Sequence, residues 1–510
     1  MKPQTGPILT KSRYLRGCAC LKWWWLEVHG PPPGGPPDPE ARLRIAEGRR
    51  IGELARSRYP GGILVPAGSP EQTDRRSRTL LGRRLPLYEA GFLHPDGRCY
   101  AQADLLVPVG RNEWDLVEVK SAGSPSEEHL HDVAFQRFCY EAAGLRLRRC
   151  RLLHVNTQYE RSGAIDPARL LAETEITAEV QERIPTVAPT VKALLEIAGS
   201  PTCPEFDQGE PFHDDPDGLH DDDAVWAAHP GSDIGMLYRG GRRRIELLEQ
   251  GIFRMREIPD PASLTGAQAI QRAAHLAGTV HRDRPRLAAF LSALRYPLYF
   301  LDFETFSTAV PLLDGARPYQ PIPFQFSVHV VAAPGAEPVH RSFLSLEPDD
   351  PRPPLLAALR RAIGSDGRVV AYNQGFEKRV LSDLARRFPA DAGWIADMSE
   401  RFVDLFAPFR TLAYYDPAQR GSASLKAVLP ALTGKGYDGF AIAHGGDASL
   451  AYLRAAHGMP DGERPPSAEI AATRLALEQY CGQDTLGMVR IVERLSEEVG
   501  TGPGRRRRRS

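Results

Sequence analysis

The chain lacks the features that would commit it to an oxidising compartment, a membrane or a polyanion attracted by overall charge. Only seven of its 510 residues are cysteine. An odd count in a long chain without a secretory leader argues against a disulfide framework and predicts reduced thiols. No run of about 20 apolar residues is present, so no transmembrane helix and no membrane partner are expected. Residues 1–10 have no signal-peptide core, which points to a cytoplasmic location. Lysine plus arginine equal aspartate plus glutamate at 64 each, so any attraction for a polyanion must be local. Internal repeats and coiled-coil heptads are also missing. The length leaves room for roughly two to four domains with buried cores.

What the chain does have is acid where apolar residues belong. Asp104 lies in the strand-like stretch 102–107 and Glu118 in 114–120, separated by a Gly110-Arg111-Asn112 turn, and the two stretches are expected to pair as a hairpin. Alternation places Glu118 and Lys120 on one face and turns Val117 and Val119 into the core. Asp104 and Glu118 offer the hard oxygen ligands that Mg²⁺ or Mn²⁺ takes, and Lys120 can orient a water or answer phosphate charge. Downstream, 127–143 has helical spacing of Leu130, Val133, Ala134, Phe138 and Ala142, with Gln136 and Tyr140 four residues apart on one face. These are the parts, in order, of a metal-dependent phosphodiester hydrolase. The plainer reading is an amphipathic hairpin with surface charges.

This stretch resembles the RecB-type nucleases of the PD-(D/E)XK superfamily, including the CRISPR-associated RecB-like exonucleases. The resemblance implies that Asp104 and Glu118 bind metal, that Lys120 is catalytic, and that Gln136 and Tyr140 lie against the site. It also implies that Glu89, in Tyr88-Glu89-Ala90-Gly91-Phe92, is a supporting or metal-adjacent carboxylate. The segment from Thr10 to Cys20, and Thr202-Cys203-Pro204-Glu205-Phe206, resemble the parts of the family that carry an iron–sulfur cluster. A cluster needs four thiolates, so Cys20 and Cys203 are read as a remnant and no cluster is expected. The acidic run 205–223, with His213, Asp214, Asp215 and His220, is a solvated loop or an adventitious ion site. Cys99, Cys139, Cys150 and Cys481 sit among apolar residues and are read as packing groups.

The first domain is expected over 1–203, with helices at 40–58 and 166–184 and a proline-rich loop at 31–37. An acidic loop and helical connector follow over 204–290, with helices at 245–251, 267–280 and 284–295. Beyond Tyr296 strands and helices alternate, which predicts an α/β domain over 291–498. The remaining 499–510 is a basic tail, expected to be disordered, whose Arg505–Arg509 adds phosphate attraction or merely solubility. Arg146 with Arg148, Arg149 and Arg151, and Arg239 with Arg242, Arg243 and Arg244, are the other candidate nucleic-acid contacts.

In the last domain a second set of acids appears. The strand 298–305 is apolar until Asp302 and Glu304, which share one face and call for cations or solvent. A strand at 323–329 follows. Then 369–377, carrying Asn373 and Glu377, leads into a helix over 378–387, and a helix over 469–495 carries Tyr480 and Asp484 on one face. Acids gathered from separate elements can hold two cations roughly 3.5–4 Å apart. The arrangement looks like the DEDD exonucleases of the RNase H-like fold, in the subclass ending in Tyr-x-x-x-Asp. The resemblance implies that Asp302, Glu304, Glu377 and Asp484 bind metal, with Asn373 beside them, and that Tyr480 positions the nucleophilic water. Glu377 departs from the pattern, which has the shorter aspartate. Asp404 and Lys426 either shape substrate access or are a strand-end acid and a solvated lysine.

The expected fold is thus a multidomain α/β protein: a PD-(D/E)XK restriction-endonuclease-like core, a helical connector and an RNase H-like α/β domain. This order resembles a group of bacterial fusion proteins. It implies metal-dependent, exonucleolytic hydrolysis of nucleic acid at two separate centres, DNA foremost and RNA as the other substrate. The alternative is a nucleic-acid-binding scaffold in which one or both centres are inactive.

Overall fold

A computed structural model of the chain describes residues 7–30, 39–204, 231–437, 439–442, 444–460 and 462–500. The proline loop at 31–37, the acidic run with His213, Asp214, Asp215 and His220, and Arg505–Arg509 lie outside the described residues. The protein is mixed α/β, and its chain divides into two compact units, one of residues 1–218 with Thr308–Gln320, the other of 219–307 with 321–510. Among the described residues no helix is long and apolar enough to cross a membrane.

The first unit is built on a seven-stranded sheet. Its strands are β1 (Leu9–Thr10), β2 (Ile63–Leu64), β3 (Leu87–Leu93), β4 (Cys99–Val109), β5 (Glu113–Lys120), β6 (Leu147–Val155) and β7 (Leu171–Glu175). They run in the order β2-β3-β4-β5-β6-β7, with β1 added parallel to β4. The β4–β5 hairpin turns at Gly110, whose φ of 53° lies in the left-handed region that a side chain disfavours. Helix α1 (Lys11–Ala19) and α2 (Leu21–His29) lead into α3 (Pro39–Ser57) and α4 (Pro70–Leu81), and α5 (Glu127–Ala142) makes the crossover from β5 to the parallel β6.

Parity sorts the sheet into two buried faces. Leu106, Leu116 and Leu152 pack with Val133, Ala134 and Phe135 of α5, while Leu105, Val117 and Leu153 pack with Ile51 and Ala55 of α3. Gly17 lets α1 come close to its neighbour, since a Cβ there would stand 2.5 Å from Leu194. Trp24 Nε1 donates to the Leu194 carbonyl at 2.8 Å, fastening α2 to the same element. Thr308–Gln320 is held in this unit by Ala309 N–H donating to Glu47 at 2.7 Å and by backbone bonds to Arg161.

Two expectations are corrected here. The helix expected over 166–184 is three elements: the short α6 (Pro167–Leu170), strand β7, and α7 (Thr177–Gly199), which continues through Pro185 and Pro189. The edge of β6 takes β7 as an antiparallel partner from Arg151↔Glu175 to Val155↔Leu171, and this ladder outweighs local helix propensity. The arginines of 148–151 are not a free phosphate-binding patch. Arg148 and Arg151 both reach the buried Asp115 at 2.8 Å, Arg151 also holds Glu173 at 2.7 Å, and Arg149 lies 3.5 Å from Glu175. Asp115→Ala is expected to cost about 2 kcal/mol in a denaturant titration, below the figure for a fully buried pair because both guanidinium groups keep some water. Arg148→Ala should cost clearly less than Asp115→Ala, since Arg151 stays on the same oxygen. Equal costs for the two would contradict this sharing.

The second unit opens with α8 (Arg242–Glu249), α9 (Gly266–Ala277), β8 (His281–Arg282) and α10 (Arg284–Ser292). These helices, read from sequence as a connector, lie in this unit, where Ala274 and Leu287 share a core with Leu298, Phe300 and Val370. The main sheet comprises β9 (Leu298–Phe306), β10 (Ile322–Val331), β11 (Val339–Leu344), β12 (Arg368–Ala371) and β13 (Phe402–Asp404), in the order β11-β10-β9-β12-β13. The first three strands are antiparallel and the last two run parallel to β9. Helices α11 (Arg352–Ala362), α12 (Gly375–Arg387) and α13 (Ala392–Ser399) cover the face bearing Tyr299, Leu301 and Phe303. The remaining elements are α14 (Ala407–Arg410), β14 (Tyr414–Tyr415), α15 (Leu425–Thr433), α16 (Gly445–His457) and α17 (Ser467–Val499), with α15 and α17 on the face of Leu298 and Phe300. Asp302 and Glu304 continue that even-numbered face towards α17. Glu377 belongs to the first turn of α12 rather than to the end of β12.

Candidate active sites

In the first unit the β4–β5 ladder ends at Leu105↔Val117. One step beyond, the Val119 N–H is taken by the Asp104 carboxylate at 2.7 Å, so a side chain replaces the ladder partner. Glu118 stands there with 1% exposure, and both of its oxygens are occupied. Oε1 receives Lys11 Nζ at 2.6 Å and Lys120 Nζ at 2.9 Å, and Oε2 receives Gln136 at 2.8 Å. Asp132, one turn before Gln136 on α5 and also 1% exposed, takes Lys120 at 2.5 Å and Gln136 at 2.9 Å.

Electrostatics follow this geometry. Burial and the neighbouring Glu118 charge push Asp104 up to about 7, although Lys11 and Lys120 pull the other way. Burial alone would raise Glu118, but Lys11 and Lys120 outweigh it and hold its carboxyl well below the usual range. Burial lowers both lysines, and Glu118 and Asp132 more than restore them, so both stay charged. Asp104, Glu118 and Asp132 therefore face two ammonium groups in a nearly closed cluster. It does not fit a divalent ion as it stands, because two ammonium groups already sit on Glu118 Oε1 and the amide of Gln136 takes Oε2.

Tyr140 and Glu89 flank this cluster. The Tyr140 hydroxyl donates to the Ala90 carbonyl and accepts the Ala103 N–H at 2.9 Å, pinning β3 to β4 next to Asp104. Glu89 has a φ of 57° inside a strand, a costly conformation for a side chain, and pairs with Arg56 at 2.6 Å and with Gln102 at 3.2 Å. Cys20 terminates α1 and Cys203 follows α7; among the described residues no cysteine forms a disulfide.

The second unit gathers acids without such compensation. Ligand atoms of Asp302, Glu304 and Cys481 all lie within 4.8 Å of one another. Glu304 and Asp484 are each 6% exposed and Glu377 2%. The Tyr437 hydroxyl donates to Asp484 Oδ1, and the Tyr480 ring stands beside that of Tyr437, centroids 6.2 Å apart. Lys426 is the nearby cation, its Nζ 5.3 Å from the Tyr480 ring and 5.9 Å from that of Tyr437. Burial and the charges of Asp484, Glu304 and Glu377 drive Asp302 well above the carboxylate range. Glu304 is raised by burial and by Asp484, against Lys426. Burial lifts Glu377 to about 8 and Asp484 to about 6, the latter in spite of Tyr437, Lys426 and Tyr480.

Glu377 Oε2 is buried without a hydrogen-bond partner among the described residues. An orphaned carboxylate oxygen beside like charges is what a divalent cation relieves, and the oxygen-rich donor set suits Mg²⁺ or Mn²⁺. Asn373 is exposed and does not enter the cluster. Its φ is 68°, and its N–H donates to Asp404 at 2.9 Å, which shapes the turn delivering Glu377.

Four residues at these sites were not foreseen: Lys11 and Asp132 in the first, Tyr437 and Cys481 in the second. Asp132 left a signal, an acid on the apolar side of α5 four residues before Gln136. Cys481 left one too, three residues before Asp484, but was read as packing. Lys11 and Tyr437 carry no periodic signal.

No curated protein sequence matches the chain. Residues 299–424 match the model of a family described as a domain of unknown function, DUF2779, a span that takes in Asp302, Glu304, Asn373, Glu377 and Asp404 and stops before Tyr437, Tyr480 and Asp484.

Proposed function

We propose that the chain is a metal-dependent nuclease with one centre in each unit, exonucleolytic and acting on DNA first and RNA second. The observation that carries this reading is the acid cluster between β9 and α17, where ligand atoms of Asp302, Glu304 and Cys481 lie within 4.8 Å of one another and the charges of Asp484 and Glu377 act on Asp302. The antiparallel–antiparallel–parallel–parallel order of β11-β10-β9-β12-β13 supports an RNase H-like domain, and the β4–β5 hairpin followed through α5 by parallel β6 supports a PD-(D/E)XK core.

Asp302, Glu304, Glu377 and Asp484 would hold divalent cations, which would supply water activation and stabilisation of phosphate charge. The protein supplies the rest. Tyr480, four residues before Asp484 on α17, orients the attacking water, and Tyr437 holds Asp484 through its hydroxyl. Lys426, at the aromatic rim, meets the phosphate and lowers the charge cost of its approach. In the first unit Lys120 and Gln136 hold Glu118, and Lys11 must leave Glu118 before an ion or a phosphate can enter. That closed cluster also favours a second reading for the first unit alone, nucleic-acid binding without cleavage.

The test uses single- and double-stranded DNA and RNA, blocked at either the 5′ or the 3′ end, with Mn²⁺. Asp302→Ala is expected to remove 3′ trimming and leave a separable activity that Lys120→Ala removes. Loss of all cleavage by either substitution alone contradicts two independent centres. If neither changes cleavage, the nuclease reading fails.

A further inference from the structure

We propose that Cys481 is a third ligand beside Asp302 and Glu304, so that the site in the second unit takes thiophilic divalent ions such as Cd²⁺ and Zn²⁺ more tightly than Mg²⁺. This rests on reading the carboxylate cluster as an ion site. Cys481 is fully buried and sits on α17 three residues before Asp484, where helix geometry brings it to the same neighbourhood. Its Sγ lies 3.6 Å from Asp302 Oδ2 and 4.0 Å from the Asp302 carbonyl, facing polar atoms rather than only the apolar neighbours of a packing thiol. The three ligand atoms lie within 4.8 Å of one another. Around one tetrahedral ion, with bonds of about 2.0–2.3 Å, such atoms stand about 3.3–3.8 Å apart, so a closure of about an ångström completes the set. The orphaned Glu377 Oε2, on a side chain whose charge reaches Asp302, is the independent sign that the pocket takes a cation.

Oxygen-only sites discriminate by size and hydration, whereas a sulfur ligand adds affinity for soft and borderline ions. The Cys481 thiol proton, and any proton held by the raised Asp302 and Glu304 carboxyls, passes to solvent as the ion enters, and no other covalent bond changes. Zn²⁺ and Cd²⁺ are then expected to inhibit at concentrations where Mg²⁺ has yet to saturate.

The experiment titrates the full chain with Cd²⁺ and follows the ultraviolet thiolate-to-cadmium charge-transfer band, in the wild type, Cys481→Ser, Cys481→Ala and Asp302→Asn. Mn²⁺ binding is measured in parallel by paramagnetic resonance. The wild type should bind Cd²⁺ about a hundredfold more tightly than Mg²⁺. The Ser and Ala variants should lose one component of the band, and their ratio of Cd²⁺ to Mg²⁺ affinity should fall at least about tenfold. Serine is nearly isosteric and keeps the comparison open if alanine does not fold. A band and a ratio unchanged by both substitutions, with Mn²⁺ still bound and lost in Asp302→Asn, overturn the sulfur ligand and leave the carboxylate site standing. Mn²⁺ binding that Asp302→Asn does not weaken overturns both.

Discussion

Asp302→Asn is expected to lower metal-dependent cleavage by the second unit about a thousandfold and, in the same molecule, to raise the melting temperature measured in chelator. The activity loss follows from removing a ligand on which the other acids converge, at a centre where catalysis is mostly electrostatic. The gain in stability has the same cause. Without an ion, Asp302 is a buried carboxyl pressed by Asp484, Glu304 and Glu377, and an amide of the same shape carries no charge to repel. Relief of about 1–2 kcal/mol is expected, the order seen when unfavourable buried charge is replaced.

The sign of the pH dependence separates this from an ordinary loss of packing. Raised carboxyl pKa values mean that the folded state keeps protons the unfolded chain has released, so stability falls as pH rises. Burial places Asp484 at about 6 and Glu377 at about 8, against ordinary values of 3.8 and 4.5. The penalty is therefore absent below the ordinary values, sets in between them and about 6, and is complete only above about 8. In chelator the advantage of Asp302→Asn should grow as pH rises above the ordinary aspartate range, because Asp302 is itself held well above it in the folded state, and saturating Mn²⁺ should reverse it. An Asn variant less stable than the wild type in chelator near pH 8 would sink the argument.

The residues differ in how far their surroundings could be read from sequence. Strand parity sufficed for Glu118 and Lys120, and for Asp302 and Glu304, because alternation is local and the flanking residues are apolar. Helical spacing likewise placed Gln136 and Tyr140 on one face of α5, and Tyr480 and Asp484 on one face of α17. Lys11 was beyond reach for a physical reason: it meets Glu118 across 107 positions, and what brings it there is the close seat that Gly17 gives α1 against Leu194. The arginines around Arg148 looked like a phosphate patch because their partners, Asp115 and Glu173, lie on two other strands. Strand β7 was hidden for the same reason, since only the edge of β6 makes 171–175 extended.

Lys11→Ala tests whether the first unit is a centre held shut by its own lysine. Lys11 and Lys120 converge on one oxygen of Glu118 at 2.6 and 2.9 Å, and Asp132 takes mainly the second of them. Without Lys11, Glu118 keeps Lys120 and Gln136, while Asp104 loses one of the two cations that oppose its burial. The variant should thus be less stable in chelator by about 1–2 kcal/mol, as for a buried charge deprived of one of several partners. The exposed negative potential should then draw a divalent ion about tenfold more tightly, a gain of about 1.4 kcal/mol. Measured in the Asp302→Asn background, where the other site is disabled, the Mn²⁺-induced rise in melting temperature should be larger for Lys11→Ala than for Lys11, because ligand stabilisation grows with affinity. Lys120→Ala is expected to go the other way in function, losing cleavage by the first unit about a hundredfold, since Lys120 is the ammonium left to meet phosphate charge. If Lys11→Ala shows no Mn²⁺ response at all, Lys11 is part of a permanent salt-bridge cluster, and the first unit binds nucleic acid without cutting it.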